Sequence, residues 1–279
     1  MKRCLMAAFA LVAGAVGAGP ALAQGVIPDS AWGGWGGPYA GLELGGQFAN
    51  SEWKGTGTND MFPGAVAPDG TALAHLNGSG LRGGVFLGYN WQFGKLVVGP
   101  DLDFALADSS RRIAGLPGCG TVTSCNGGSG PLPTDPLADD WVKVNPTWDA
   151  NFRARLGYLI TPDLLAFATG GVALQEVEIS GGCRTALWDP LCAGPPFGNN
   201  KTKSQTNTSL LLGWTAGAGL EARLDQHWHL RGEYRYAGFS PTSGSLWSGQ
   251  PAGLEGWDAY HYRVKLETHI ATAGLSYQF

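Results

Sequence analysis

Apolar and polar residues alternate along eight segments of this chain, and this period of two restricts the fold to β-strands. In the last six residues, GLSYQF, Leu275, Tyr277 and Phe279 share one face, while Ser276 and Gln278 lie on the other. The eight segments cover roughly residues 38–49, 82–93, 95–106, 148–159, 163–177, 209–224, 227–238 and 264–279. The fifth segment is apolar on both faces, so the pattern does not assign its orientation.

The connections between these segments alternate in length. Every second connection is a tight turn, formed by Gly94, by ITPD and by DQ. The other connections are polar and rich in Gly, Pro, Ser and Asn, and they are expected at about residues 50–81, 107–147, 178–208 and 239–263. Short turns at one end and long loops at the other are typical of outer-membrane barrels. Over residues 38–279 we therefore predict an all-β fold, an eight-stranded antiparallel transmembrane up-and-down β-barrel with short periplasmic turns and long extracellular loops.

The polar face of the segments carries acids and bases in equal number, and every base is arginine. These twelve residues are the predicted interior charge network: Glu43, Arg82, Asp101, Asp103, Asp149, Arg153, Arg155, Glu221, Arg223, Arg231, Glu233 and Arg235. Enclosed charges must balance because an unpaired buried charge costs several kcal/mol, and arginine binds carboxylates bidentately. The alternative is a soluble barrel such as a lipocalin with ordinary exposed charges, but lysine would be expected in such a set. The pattern favours a charged interior and a lipid-facing exterior.

The first residues have the features of a secretory signal peptide. A basic start precedes an apolar run, and Ala21 and Ala23 form a small-x-small cleavage site. The alternative is a transmembrane helix over residues 4–23, which is long enough to span a bilayer, but the cleavage site favours removal. We predict a signal peptide over residues 1–23 and a Gly/Trp-rich periplasmic lead-in over residues 24–37. The chain would thus be exported to the outer membrane of a Gram-negative cell.

Four cysteines remain after this cleavage, and they form two close pairs, Cys119 with Cys125 and Cys183 with Cys192. An exported protein meets an oxidising compartment, where cysteines form disulfides. Four cysteines allow three connectivities, and we expect each pair to close its own loop. A zinc site is the alternative, although the spacings do not match the usual two-residue knuckles.

Aromatic residues cluster at both ends of the apolar faces. Those at the short-turn ends are Trp91, Phe93, Tyr158, Trp228, Tyr277 and Phe279, and those at the long-loop ends are Phe48 and Trp148. Two such belts are expected where a barrel crosses the two membrane interfaces. His269, near the outer rim, is the one ionisable residue that we place on this face.

Several of these stretches together resemble the alphaproteobacterial outer-membrane immunogenic proteins, a family of small, porin-like, eight-stranded surface antigens. The matching stretches are GPYAGLELGG (37–46), GGVFLGYNWQFGKLVVGPDLDF (83–104), NFRARLGYLITPDLLAFATGGVAL (151–174), GWTAGAGLEARLDQHWHLRGEYRY (213–236) and HIATAGLSYQF (269–279). They cover nearly all the predicted strands and none of the long loops. The resemblance is specific as a set, because any single stretch would be a weak signal.

The resemblance implies an outer-membrane protein with outer-membrane lipid and lipopolysaccharide as its surroundings. It also implies that the barrel-assembly machinery recognises the terminal strand through Leu275, Tyr277 and Phe279. The two cysteine pairs and the Pro-rich stretch at 130–140 are departures from the family. A loop-borne activity of the relatives is therefore not carried over to this chain.

No motif for catalysis, cofactor binding or metal binding is expected in this chain. Asp101 and Asp103 share a face as paired carboxylates do in glycosidases, but neighbouring arginines explain them better. His227 and His229 share a face without a third metal ligand nearby in the sequence. The net charge of −4 also argues against nucleic-acid binding. We expect a protein that is not an enzyme and carries no cofactor.

Three functions remain open at this stage. The first is a structural barrel that supports membrane integrity and presents antigenic loops. The second is porin-like passage of small hydrophilic solutes, although eight strands leave an interior that side chains fill. The third is capture of a ligand or host surface by the loops, for which Tyr260, His261 and Tyr262 are candidate hemin-iron ligands.

Overall fold

The computed structural model describes residues 34–58, 73–117, 141–184, 202–247 and 259–279. These residues form ten strands: β1 (Gly37–Thr58), β2 (Leu73–Phe93), β3 (Leu96–Ala107), β4 (Arg111–Ala114), β5 (Trp141–Thr161), β6 (Leu164–Arg184), β7 (Thr202–Arg223), β8 (Trp228–Phe239), β9 (Thr242–Leu246) and β10 (Tyr260–Gln278). No helix long and apolar enough to cross a membrane occurs within these five ranges.

The strands close into a barrel with eight strand positions around its circumference. Neighbouring strands pair antiparallel in the order β1, β2, β3, β5, β6, β7, β8, β10, and β10 pairs back with β1, where Leu42 lies opposite Leu275. The short strand β4 follows β3 at the same position in the sheet and also pairs with β5. In the same way β9 follows β8 and pairs with β10. The predicted eight-stranded antiparallel barrel is therefore confirmed.

The strands extend well beyond their predicted ends on the long-loop side, which corrects the loop boundaries. Strand β1 ends at Thr58, whereas the pattern placed its end near residue 49, and β2 begins at Leu73. The expected loops at 50–81, 107–147, 178–208 and 239–263 all lose residues to strands in the same way. The reason is that the alternation reverses its polarity at this height.

Strand β1 shows the reversal directly. Phe48 is the last apolar residue on its outer face, and Glu52 and Lys54 point outward beyond it. On the inner face the sequence changes from Gln47 to the fully buried Trp53. The continuous apolar outer face ends at this point, although the hydrogen-bonded ladder continues.

This reversal divides the barrel into two parts. The lower part has an apolar outside and a charged inside, and the upper part, which we name the sleeve, has a polar outside and an apolar inside. Strands β1, β2, β5, β6 and β7 contain 21 or 22 residues, whereas a tilted strand needs about 9–11 residues to span the hydrocarbon core. About half of each strand therefore stands outside the membrane, as the sleeve.

The outer face of the lower part is apolar and belted with aromatic side chains. The predicted girdle residues Trp91, Phe93, Tyr158 and Trp228 are each at least two-fifths exposed at the short-turn end. Phe279 is 72% exposed, and its ring packs edge-on against Tyr277. These side chains face the lipid, as the alternation predicted.

Two of the three short turns are stabilised in different ways. Gly94 adopts a positive φ of 62° in the turn between β2 and β3, a conformation in which glycine avoids a Cβ clash. In the turn after β7, the carboxylate of Asp225 accepts hydrogen bonds from the backbone N–H groups of His227 and Trp228, both 2.8 Å. These two bonds hold the pKa of Asp225 below its usual value.

Candidate functional site in the barrel interior

A layer of buried ion pairs fills the lower part of the barrel. Arg82 pairs with Glu43, with Asp103 at 3.1 Å and with Asp149 at 2.8 Å. Arg153 pairs with Asp101, with Asp103 at 3.0 Å and with Glu233 at 2.5 Å. Arg82 thus bridges three carboxylates from three strands, and Arg153 bridges three carboxylates from two strands, β3 and β8.

Two further arginines, both from β8, complete this layer. Arg231 contacts Asp101 and Glu233 at 2.8 and 2.9 Å, and Arg235 contacts Asp103 at 2.8 Å. The layer therefore links five of the eight strand positions around the lumen, because its members come from β1, β2, β3, β5 and β8. These ion pairs join strands that are not neighbours in the sheet, such as β3 and β8.

A separate ion pair lies closer to the short turns. Arg155 pairs with Glu221, whose other carboxylate oxygen lies 3.0 Å from Nδ1 of His229. The Arg155 guanidinium also lies over the ring of Phe167 at 4.3 Å, a cation–π contact. With this pair, eleven of the twelve residues of the predicted network lie in buried ion pairs.

Arg223 is the exception and corrects the prediction. It is the last residue of β7, at the short-turn mouth, and its nearest acid is the exposed Asp163 at 3.9 Å. Its guanidinium lies over the ring of Trp35 at 4.9 Å. The alternation placed it correctly on the inner face, but the strand ends at this residue, so the side chain does not reach the enclosed layer.

Below the charges, Trp35 closes the short-turn mouth. It is fully buried with Val97, Leu159 and Leu165. Its indole N–H donates to the backbone oxygen of Pro162 at 2.9 Å, and its ring lies 4.6 Å from that of His229. The sequence placed this tryptophan in the periplasmic lead-in over residues 24–37, so its position inside the barrel was not predicted.

Above the charges, the sleeve is packed with apolar side chains. The cluster comprises Ala49, Trp53, Leu76, Leu116, Val142, Val144, Ala173, Val177, Ile179, Leu211, Ala237, Phe239, Leu246, Trp247, Tyr260, Tyr262, Val264 and Leu266. Most of these residues, including Trp53, Val142 and Tyr260, lie in stretches that the sequence pattern assigns to loops, so the layer as a whole was not predicted. Its signal was available in Val142 and Val144, and in Val264 and Leu266, which alternate with lysine, arginine and asparagine.

Hydrogen bonds tie the aromatic residues of this cluster to each other and to a loop. The indole of Trp53 donates to the hydroxyl of Tyr260 at 3.0 Å, and that hydroxyl donates to the backbone oxygen of Pro117 at 2.6 Å. Asn207 donates to the hydroxyl of Tyr262 at 3.0 Å. Burial raises the pKa of both tyrosines above the usual value.

These contacts do not support the proposed hemin ligands. Tyr260 and Tyr262 point into the barrel and are at most 2% exposed, whereas His261 lies between them on the opposite face of β10. The three side chains therefore do not converge on one iron ion. The prediction failed because the residues lie in a strand, where neighbouring side chains point in opposite directions.

The two histidines that the sequence suggested as metal ligands do not lie together. His229 points into the lumen, whereas His227 lies in the turn and stacks on the outer residue Tyr277 at 5.3 Å, so the two histidines do not share a face. Within the described ranges, no three His, Cys, Asp or Glu residues are placed to bind a metal ion.

Some predicted residues fall outside the described ranges. Cys119, Cys125 and Cys192 lie there, and of Cys183 only the backbone in β6 is described. The cleavage residues Ala21 and Ala23 also lie outside these ranges. The disulfides and the signal peptide remain predictions.

Comparison with known proteins places this barrel in a family. Residues 8–279 match the family described as Outer membrane protein beta-barrel domain. The chain is 27% identical over 252 residues to the 31 kDa outer-membrane immunogenic protein of Brucella melitensis biotype 1, covering 88% of this chain and 84% of the relative. It is 29% identical over 170 residues to the 22 kDa outer membrane protein of Rhizobium leguminosarum bv. viciae, covering 61% and 58%.

Among solved structures, this chain aligns with that of the outer membrane protein OprG from Pseudomonas aeruginosa. It has a TM-score of 0.48 at 12% identity and covers 89% of this chain and 98% of its own. The match to residues 8–279 shows that this chain belongs to the outer membrane protein beta-barrel domain family, and its relatives show that it is a surface protein of the Gram-negative outer membrane, of the alphaproteobacterial immunogenic type.

Proposed function

We propose that this protein acts as a closed structural barrel, which supports the outer membrane, presents its loops at the cell surface and passes no solute. The observation that carries the proposal is the filling of the described interior by three stacked layers. From the short turns upward these are the Trp35 cluster, the ion-pair layer and the apolar cluster of the sleeve. Each layer draws side chains from several strands, so no single side-chain movement opens a continuous path.

The porin-like alternative requires water among the interior charges. The guanidinium groups of Arg82, Arg153, Arg155, Arg231 and Arg235 are buried and held by carboxylates. In a conducting lumen, ions would have to displace such contacts, and each charged hydrogen bond is worth about 1.5–3 kcal/mol. The aromatic residues of the sleeve add a dry layer above them.

We also propose that the protein performs no catalysis. The candidate acids Asp101 and Asp103 are each held by arginines at 3.1 Å or less, which removes the free carboxylate that general acid–base chemistry needs. Lipid and lipopolysaccharide are the proposed neighbours of the apolar band. The barrel-assembly machinery is the proposed reader of the terminal strand, whose residues Leu275 and Phe279 present their side chains outward.

Single-channel recording of the refolded protein in a planar bilayer tests the closed barrel. We expect no steady conductance from the wild type. Arg231→Ala and Glu233→Ala remove partners within the ion-pair layer, and Lys54→Ala changes an exposed residue on the outer face of β1 as a matched control. Steady wild-type channels that change size or ion selectivity in the two interior variants, but not in the control, would replace this proposal by the porin function.

A further inference from the structure

A groove of about 540 Å³ lies on the outer wall of the barrel, across β7, β8 and β10. Its walls include the rings of Trp214 and Tyr236, whose centroids are 5.2 Å apart, and its upper edge carries Lys265 and Glu267. The groove therefore crosses the height at which the outer face changes from apolar to charged. No function described above uses it.

Gly238 forms the floor of this groove. It is paired with Trp214 on one neighbouring strand and with Glu267 on the other, so its missing side chain leaves the space between them. A Cβ at this position would lie 3.3 Å from Nε1 of Trp214 and 3.4 Å from the hydroxyl of Tyr236. Two polar atoms on aromatic rings thus converge over a floor without a side chain.

The upper edge of the groove carries an ion pair whose ammonium is half exposed. The ammonium of Lys265 lies 2.8 Å from Glu267, and its side chain is 50% exposed. An ammonium has three N–H donors, so it can bind a second anion while it contacts Glu267. Glu267 also accepts a hydrogen bond from Tyr236, which fixes the position of that ring. Arg263 projects from the same face of β10, two residues further up.

These features match an amphiphile with an anionic headgroup. The groove volume lies within the range of about 300–1,000 Å³ that is usual for small-molecule sites. Aromatic rings at this height prefer the polar–apolar boundary of a bilayer, and basic pockets on membrane proteins bind lipid headgroups. Below the groove, the outward residues Ala216 and Ala218 leave a shallow apolar surface beside the rings, on which an acyl chain could lie.

We infer that this groove binds the phosphorylated sugar headgroup of one glycolipid from the outer leaflet. The phosphate lies against Lys265 and the indole N–H of Trp214, and the sugar packs on the two rings. A glycolipid fits better than a phospholipid because the walls are flat aromatic faces and the groove lies on the long-loop side. The inference rests on the proposed function for one point, that the long loops face the outside of the cell.

The test uses the full barrel in nanodiscs that contain equal amounts of lipid A, a phosphorylated diglucosamine lipid, and phosphatidylglycerol. Native mass spectrometry of the released protein then counts bound lipids. We expect one retained lipid A on the wild type and about ten-fold less retention in Lys265→Gln, the effect of losing one charge-assisted hydrogen bond. Gly238→Leu fills the floor and should lower retention at least as much.

Two matched controls keep the result specific. Gly232→Leu places the same side chain on the outer face of the same strand, where a Cβ meets nothing within 4 Å. Lys143→Gln removes a cation from the sleeve on a distant strand. Both should retain lipid A as the wild type does, and resistance of the folded barrel to unheated detergent electrophoresis verifies that each variant is folded.

Equal retention of lipid A by the wild type and Lys265→Gln would overturn the inference, and so would a preference for phosphatidylglycerol. If Gly238→Leu does not fold, the Lys265→Gln comparison decides the question. Accessibility of the loops to protease on intact cells is measured in parallel. Protected loops would contradict the proposed orientation, whereas accessible loops with no lipid selectivity would refute the groove alone.

Discussion

Replacing Arg82 by methionine should destabilise the barrel strongly, because this guanidinium bridges three acids. Arg82 donates to Asp149 at 2.8 and 3.2 Å, to Asp103 at 3.1 Å and to Glu43. After its removal, Asp103 keeps Arg153 and Arg235 at 3.0 and 2.8 Å. Asp149 keeps a hydrogen bond from Asn151 at 2.7 Å. The loss therefore falls mainly on Glu43.

Glu43 then retains only a weak partner among the described residues, the hydroxyl of Thr272 at 3.5 Å. A buried charge that loses its partner costs about 3–5 kcal/mol, and we expect Arg82→Met to lower the free energy of unfolding by this amount. Arg82→Met combined with Glu43→Gln should recover about 2 kcal/mol relative to the sum of the two single changes, because the amide carries no charge.

Equilibrium unfolding in urea, of protein folded in lipid vesicles and followed by tryptophan fluorescence, measures both values. Arg223→Met is the matched control, since its nearest acid is 3.9 Å away and 72% exposed, and it should cost less than about 1 kcal/mol. A loss below about 1 kcal/mol in Arg82→Met, or strict additivity with Glu43→Gln, would refute the view that charge pairing inside the lumen stabilises this barrel.

Three further outcomes follow from the other layers. Trp53→Ala should lower the free energy of unfolding by about 3–5 kcal/mol through a cavity in the sleeve without opening a channel, and steady conductance in this variant would contradict the stacked-layer view. Because burial raises the pKa of Tyr260, its stabilising effect is complete below about pH 10, the pKa of an unfolded tyrosine, and is lost as the pH rises further. Ultraviolet absorbance of tyrosinate and urea unfolding measure this loss, and Tyr260→Phe should make it smaller, because Tyr262 still contributes. Phe279→Ala should reduce the amount of barrel assembled in cells more than it changes the stability of refolded protein, because the ring is 72% exposed; equal losses in both assays would argue against a recognition role.

The lower half of the barrel was predictable from the sequence because one alternation, with apolar residues outside and polar residues inside, holds along its full height. The polar face of RGEYRY, for example, carries Arg231, Glu233 and Arg235, and all three lie in the ion-pair layer. The partners within this layer were not predictable. They depend on strand register and barrel tilt, which bring Arg231 to Asp101 across 130 residues of sequence.

The sleeve was missed for a different physical reason. Its inward residues, such as Val142 and Leu266, are apolar, and its outward residues, such as Lys143 and Lys265, are charged. This is the pattern of a soluble barrel, and the sequence analysis treated soluble and membrane barrels as alternatives for the whole chain. The orientation of the fifth segment also needed the structure, which places Leu165 and Phe167 inside.

The reversal of polarity also fixes how deeply the barrel sits in the bilayer. Above Phe48 the outer face changes from apolar to polar within two residues, and the same change occurs between Leu81 and Ser79, and between Leu174 and Glu176. Sinking by one such step would carry Glu176 and Glu267 toward hydrocarbon, and rising would expose leucines to water. Charged groups on the lipid face cost about 2–4 kcal/mol near the midplane and less toward the interface. Vertical displacement therefore costs free energy in both directions, which holds the loops at a defined height above the lipid.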